Sequence, residues 1–132
     1  MPEKTKTKKR PMKRKVRAPR VCPRVRITMR DGLILGPGKV HLLEAIEKEG
    51  SISAAARAMG MSYRRAWLLV DAMNRMFDQP LVTTSPGGAH GGGAEITDFG
   101  RDIAAAYRRI DERTRVAIRE ELGPYSKDID VK

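Results

Sequence analysis

The 132-residue chain is expected to fold as an α+β domain in which helices dominate. Three observations predict this. An alternating apolar segment interrupted by Asp-Gly precedes the first helix. Two helical segments are joined through a single glycine. A glycine-rich stretch then separates two strand-like segments just ahead of one long amphipathic helix.

Charge is distributed unevenly. The chain has 27 Lys and Arg against 16 Asp and Glu, a net charge of +11. Residues 1–26 alone hold 12 bases and one acid (Glu3), so the remaining residues sum to zero. Residues 1–23 therefore read as a cationic arm, too poor in large apolar side chains to offset the entropy of ordering. Such an arm attracts polyanions or simply keeps the chain soluble. A single cysteine, Cys22, excludes an internal disulfide framework and fits a reducing compartment. No apolar run approaches the ~18 residues of a membrane span, and no apolar stretch follows the N-terminal charges as in a secretory signal. A cytoplasmic, nucleoid-associated protein with no membrane partner is expected.

From Val25 the elements follow in order. Val25–Arg30 alternates, Asp31-Gly32 suits a tight turn, and Leu33-Ile34-Leu35 returns, which together predict a β-hairpin. After Gly36-Pro37-Gly38, the residues Val40, Leu42, Leu43 and Ile46 recur at helical spacing up to Gly50. Ser53 is expected to cap a short helix through Met59, Gly60 to turn the chain, and Ser62 to cap a second helix to about Phe77. In that second helix Ala66, Leu69, Val70, Met73 and Phe77 share a core face. Arg64, Leu68, Asp71 and Arg75 point away from it, and Arg65 and Trp67 flank it. Leu81–Thr84 and Glu95-Ile96 predict two strands around a loop holding five of the chain's 12 glycines. Thr97 then caps a helix of roughly 25 residues, with Phe99, Ile103, Ala106, Ile110, Ala117 and Leu122 as its apolar stripe and Gly123-Pro124 as its stop. Residues 125–132 read as a loose tail.

Two helices about a glycine, followed by strand, glycine loop and strand, make a winged helix-turn-helix. The second helix would then enter a DNA major groove with its first turn against base edges. Arg64 and Arg65 stand in that turn, where a guanidinium can engage both acceptors of guanine. Tyr63 can reach a phosphate or a thymine methyl. Ser51, Ser53 and Arg57 are placed to hold phosphates, which sets register without reading sequence. In the wing, Gly88, Gly91 and Gly92 let backbone N–H groups approach phosphates, and His90 can meet the minor groove or the backbone. Trp67 fits either core packing or an apolar DNA contact.

Chemistry of other kinds finds no support in the residues. No lysine follows the glycines to make a phosphate-binding loop, and no G-x-G-x-x-G occurs. His41, His90 and Cys22 lack metal-ligand spacing, and no serine has an evident base beside it. No enzyme activity, cofactor or metal is expected.

The segments GPGKVHLLEAIEKEGSISAAARAMGMSYRRAWLLVDAMN, SPGGAHGGGA and ITDFG resemble the N-terminal winged helix-turn-helix domain of the molybdate-responsive regulators, the ModE family, a branch near the LysR-type DNA-binding domains. The resemblance covers about residues 24–122. It implies a bacterial homodimer, with the N-terminal hairpin and the dimerisation helix 97–122 at the interface. It also implies that Ser62, Tyr63, Arg64 and Arg65 head the recognition helix. Residues 24–124 would thus form the DNA-binding domain. Because the sequence stops about ten residues past its last helix, molybdate binding is not expected. The function expected is a dimeric, sequence-specific transcriptional regulator on double-stranded DNA. The alternative is an architectural, nucleoid-type protein with little sequence choice.

Overall fold

The computed structural model describes residues 20–86 and 92–131. Most of the cationic arm and the tip of the glycine loop lie outside them. The chain divides into two compact units: residues 24–113, and a smaller one formed by residues up to 23 with residues from 114 onward. A long helix contributes residues to both.

The larger unit opens with the expected hairpin. Strands β2 (Ile27–Thr28) and β3 (Ile34–Leu35) pair antiparallel, with Ile27 opposite Leu35. The Met29 N–H donates to the Leu33 carbonyl, and between them Asp31 (φ 58°) and Gly32 (φ +74°) both take left-handed conformations. Asp tolerates that region through local hydrogen bonding and Gly through its missing Cβ, which explains the Asp-Gly pair. Helix α1 (Pro37–Glu49) starts with proline at its first position, where no N–H is needed, and ends on left-handed Gly50. Its residues Val40, Leu42, Leu43 and Ile46 are fully buried, as their spacing predicts.

Helices α2 (Ile52–Ala58) and α3 (Tyr63–Arg75) follow. Ala55, Ala56 and Ala66 are nearly or wholly buried where they meet, and side chains this small let the two backbones approach closely. Strand β4 (Val82–Thr84) pairs antiparallel with β5 (Ala94–Ile96), setting Val82 opposite Ile96 and Thr84 opposite Ala94. Helix α4 runs from Asp98 to Leu122.

A cluster of polar bonds locks these elements together. The Asn74 Oδ1 accepts the backbone N–H groups of Leu81 (2.8 Å) and Val82 (3.1 Å), while its Nδ2 donates to the Val82 carbonyl (2.9 Å). Thr97 caps α4 by accepting the Gly100 N–H at 2.8 Å, and its hydroxyl donates to the Pro80 carbonyl at 2.8 Å. Gly100 then rests directly on the Leu81 carbonyl, where a Cβ would come within 2.3 Å of the oxygen.

The apolar stripe of α4 differs from the expected one. The buried positions are Gly100, Ala104 and Tyr107, whereas Phe99, Ile103 and Ala106 are half-buried and Ile110 and Ala117 are exposed. Gly100 is needed for the close approach, and Tyr107 is only 2% exposed because its hydroxyl donates to the Val25 carbonyl at 2.7 Å. Burial pushes the Tyr107 phenol up from its ordinary pKa. Phe77 and Phe99 meet edge-to-face, with centroids 5.4 Å apart.

In the smaller unit, β1 (Arg20–Val21) pairs in parallel with β6 (Asp130–Val131). The tail expected to be loose is therefore tied by a two-residue ladder, following a 3-10 turn at Gly123–Tyr125.

Two substitutions test the locked cluster by chemical denaturation. Asn74→Ala leaves two N–H groups without their acceptor and should lower the unfolding free energy by about 2–4 kcal/mol. Gly100→Ala should also destabilise, by about 2 kcal/mol, although alanine is the better helix former by ~1 kcal/mol.

Candidate nucleic-acid interface

Local capping aims the two helices. The Ser51 hydroxyl accepts the Ala54 N–H at 3.0 Å, so Ser51, and not Ser53, caps α2. The reason is Ile52: with its side chain buried as the first helical residue, the extended backbone a cap requires falls at Ser51. Ser53 already lies inside the helix and is exposed, one turn before exposed Arg57. At the other end the Gly60 N–H donates to the Arg57 carbonyl and the Met61 N–H to the Ala56 carbonyl, with Gly60 at φ +68°. This Schellman arrangement satisfies the last carbonyls of α2 and turns the chain at once into α3. Ser62 caps α3 as its sequence position predicts, accepting the Arg65 N–H at 3.1 Å. Both cap hydroxyls keep their own hydrogens to donate.

Ala66, Val70 and Met73 bury one face of α3. Arg64 faces away from it while Tyr63 and Trp67 stand on one flank, and the three together line a cleft of about 230 Å³. Trp67 is 46% exposed and Tyr63 55% exposed. Of the two readings open for Trp67, core packing is thus excluded. Arg64 and Arg65 are exposed and form no ion pair among the described residues. An ion pair within α3, Asp71 with Arg75 at 3.1 Å, lies two turns further along the helix.

Two cations missed by sequence reasoning stand near Arg65 in the first turn of α3. Lys39, in the first turn of α1, is held below the usual lysine range, first by burial and then by repulsion from Arg26 and Arg65. Arg26 reaches there because its side chain lies over Gly36, whose added Cβ would meet the Arg26 Cγ at 3.6 Å. Three like charges from the hairpin, α1 and α3 are thus close together, and none is paired with an acid among the described residues. In sequence they are 13 and 26 residues apart, so no motif betrays them.

The wing strands continue the ladder through the Ser85 N–H, which donates to the Gly93 carbonyl at 2.9 Å. The base of the wing is fastened to α1 by the Ala94 N–H, which donates to the Gly50 carbonyl at 3.0 Å. Gly92 is exposed at the edge of the described loop. Gly88, His90 and Gly91 lie outside the described residues. Among the described residues no group of three His, Cys, Asp or Glu could hold a metal ion, and no described helix is long and apolar enough to cross a membrane.

The capping assignment can be checked by paired substitution. Ser51→Ala should cost about 1 kcal/mol of stability, whereas Ser53→Ala should change it by no more than ~0.5 kcal/mol in the same urea titration.

Comparison with known proteins agrees with this geometry. Residues 38–101 match the bacterial regulatory helix-turn-helix proteins of the LysR family. The chain is 43% identical over 94 residues to the molybdenum transport protein ModE of Azotobacter vinelandii, covering 71% of this chain and 35% of that protein. It is 48% identical over 90 residues to the molybdenum-pterin-binding protein MopB of Rhodobacter capsulatus, covering 68% and 33%. It is 35% identical over 81 residues to the DNA-binding transcriptional dual regulator ModE of Escherichia coli, covering 61% and 31%. The chain thus spans about a third of the length of these relatives. Residues 38–101 carry a LysR-type helix-turn-helix domain, similar to the matching part of these ModE relatives.

Proposed function

We propose that this domain is a dimeric, sequence-specific DNA-binding transcriptional regulator. The observation that carries the proposal is the outer face of α3: a capped helix presenting Tyr63, Arg64 and Arg65, with Lys39 and Arg26 adding unpaired positive charge beside it. A polyanion neutralises such a cluster, and a major groove accepts such a helix. Arg64 and Arg65 read base edges. Ser51, Ser53, Arg57 and Ser62, with Lys39 and Arg26, hold phosphates and set the register. The glycine wing, including Gly88, His90, Gly91 and Gly92, and the cationic arm add contacts to the backbone or minor groove. The relatives support the reading, since the E. coli protein is named a DNA-binding transcriptional regulator.

The dimer is proposed from an apolar groove of about 170 Å³ between the hairpin and α4, lined by Ile27, Met29, Leu35, Ile103, Ala106 and Ile110 among others. Its walls are almost wholly apolar, and Ile110 is 40% exposed. A second copy packing here through the same face would relate two recognition helices by a two-fold axis.

Selection of bound duplexes from a random library at near-physiological salt tests the reading, and a near-palindromic motif is the expected result. A salt-sensitive but motif-free pool would mean an architectural protein instead. On the selected site, Arg64→Ala or Arg65→Ala should cost about 1–3 kcal/mol and relax base choice. Lys39→Ala should weaken binding to all sequences alike and reduce the salt slope by about 0.9. Ile110→Glu should shift the protein to a monomer in analytical ultracentrifugation.

A further inference from the structure

Resting on that DNA-binding reading, we infer that the cleft between Tyr63 and Trp67 seats the 5-methyl group of a thymine, so that Trp67 is a specificity-determining residue of the recognition helix alongside the arginines. The argument begins with register. At 100° per residue, Arg64 falls nearly opposite Ala66, Val70 and Met73, which are at most 4% exposed, while Trp67 and Tyr63 stand together on one flank, 46% and 55% exposed. Trp67 is therefore open at the border of the outer surface that Arg64 presents to base edges. It is also a costly residue to leave in water, because an indole carries one of the largest apolar surfaces of any side chain. The cleft that it forms with Tyr63 and Arg64 holds about 230 Å³ and, among the described residues, is lined by no acid.

Of the groups displayed by base pairs in a major groove, only the thymine methyl is apolar. The aromatic rings of Tyr63 and Trp67 give this cleft an apolar part that suits that methyl. Arg64, in the wall of the same cleft, suits the acceptors of a neighbouring guanine. The occupant is thus the edge of a thymine beside a guanine-containing pair. An apolar peptide is disfavoured, because Arg64 stands in the wall of the cleft and forms no ion pair among the described residues.

Deoxyuridine differs from thymidine only by the missing methyl, so it provides the test. In the selected duplex each thymine is replaced singly by uracil, and binding of the full chain is measured. One thymine per half-site should show a loss of about fourfold, the worth of one buried methyl group. Trp67→Ala should bind the parent duplex more weakly and be indifferent to uracil at that same position, while keeping the discrimination due to Arg64. Trp67 is the chain's one tryptophan, so its emission reports the contact without any variant. It should change on binding the selected duplex, which keeps the test decisive should Trp67→Ala fail to fold.

Three results overturn the inference while leaving the DNA-binding reading intact. The first is motif-selective binding with no uracil penalty at any position. The second is a uracil penalty that Trp67→Ala retains unchanged. The third is tryptophan emission unaltered at saturation with the selected duplex. Failure of the chain to prefer any duplex over heparin would instead remove both the DNA-binding reading and the inference with it.

Discussion

The backbone of Leu81 and Val82 is the point on which the orientation of the fold depends. From one side Asn74, near the end of α3, takes both of their N–H groups and gives one hydrogen back. From the other side Thr97 donates its backbone N–H to the Leu81 carbonyl, and α4 lies against that oxygen at Gly100. Leu81 and Val82 are buried, so these groups have no water to fall back on and the bonds are obligatory. Helix α3, the root of the wing and the first turn of α4 are thereby fixed to one another through one dipeptide. The outward aim of Tyr63, Arg64 and Trp67 follows from contacts made three turns away, at the far end of α3.

Local chemistry was legible in the sequence where a residue has one structural use. Proline before a glycine-ended apolar stripe marked α1, Gly60 marked the turn, and Ser62 and Thr97 marked helix starts. The sequence was silent where the partner is remote. Asn74 looks like any helix-surface amide until Leu81 folds back beneath it, and Gly100 looks like a flaw in a helix until the Leu81 carbonyl arrives. The stripe of α4 misled for a related reason. Apolar spacing picks out Ile103 and Ile110, yet burial selected a glycine, an alanine and a tyrosine, because contact distance and one hydroxyl partner mattered more than hydropathy. Ser51 and Ser53 are chemically equal candidates for a cap, and only the burial of Ile52 between them decides. At the candidate interface the arginines were evident from the helix-turn-helix spacing, whereas Arg26 and Lys39 join them only through tertiary structure.

The charge pattern gains meaning from pairing. Residues 27–132 carry no net charge, but their acids are not spread evenly over the surface. Glu44 bonds Arg108, which holds its carboxyl below the usual glutamate range, and Glu47 and Asp98 both engage Arg101. These exposed and half-exposed pairs, two between α1 and α4 and one within α4, add little stability each. Their larger effect is to use up acids on that side. The face carrying α3 retains cations that form no ion pair among the described residues, so a segment neutral in composition still presents a basic surface.

The crowding of Lys39 between Arg26 and Arg65 sets the folded chain at odds with its own comfort. Like charges brought together and partly stripped of water make that corner less stable than it need be. Evolution or laboratory selection for heat resistance alone would favour an acid or an apolar residue at position 39, because relief of such frustration is among the easiest stabilising changes to find. On the proposed DNA-binding reading, the protein so improved would be sturdier and less able to grip a phosphate chain. Thermostability screens on this fold would on that reading drift away from function unless binding is selected at the same time.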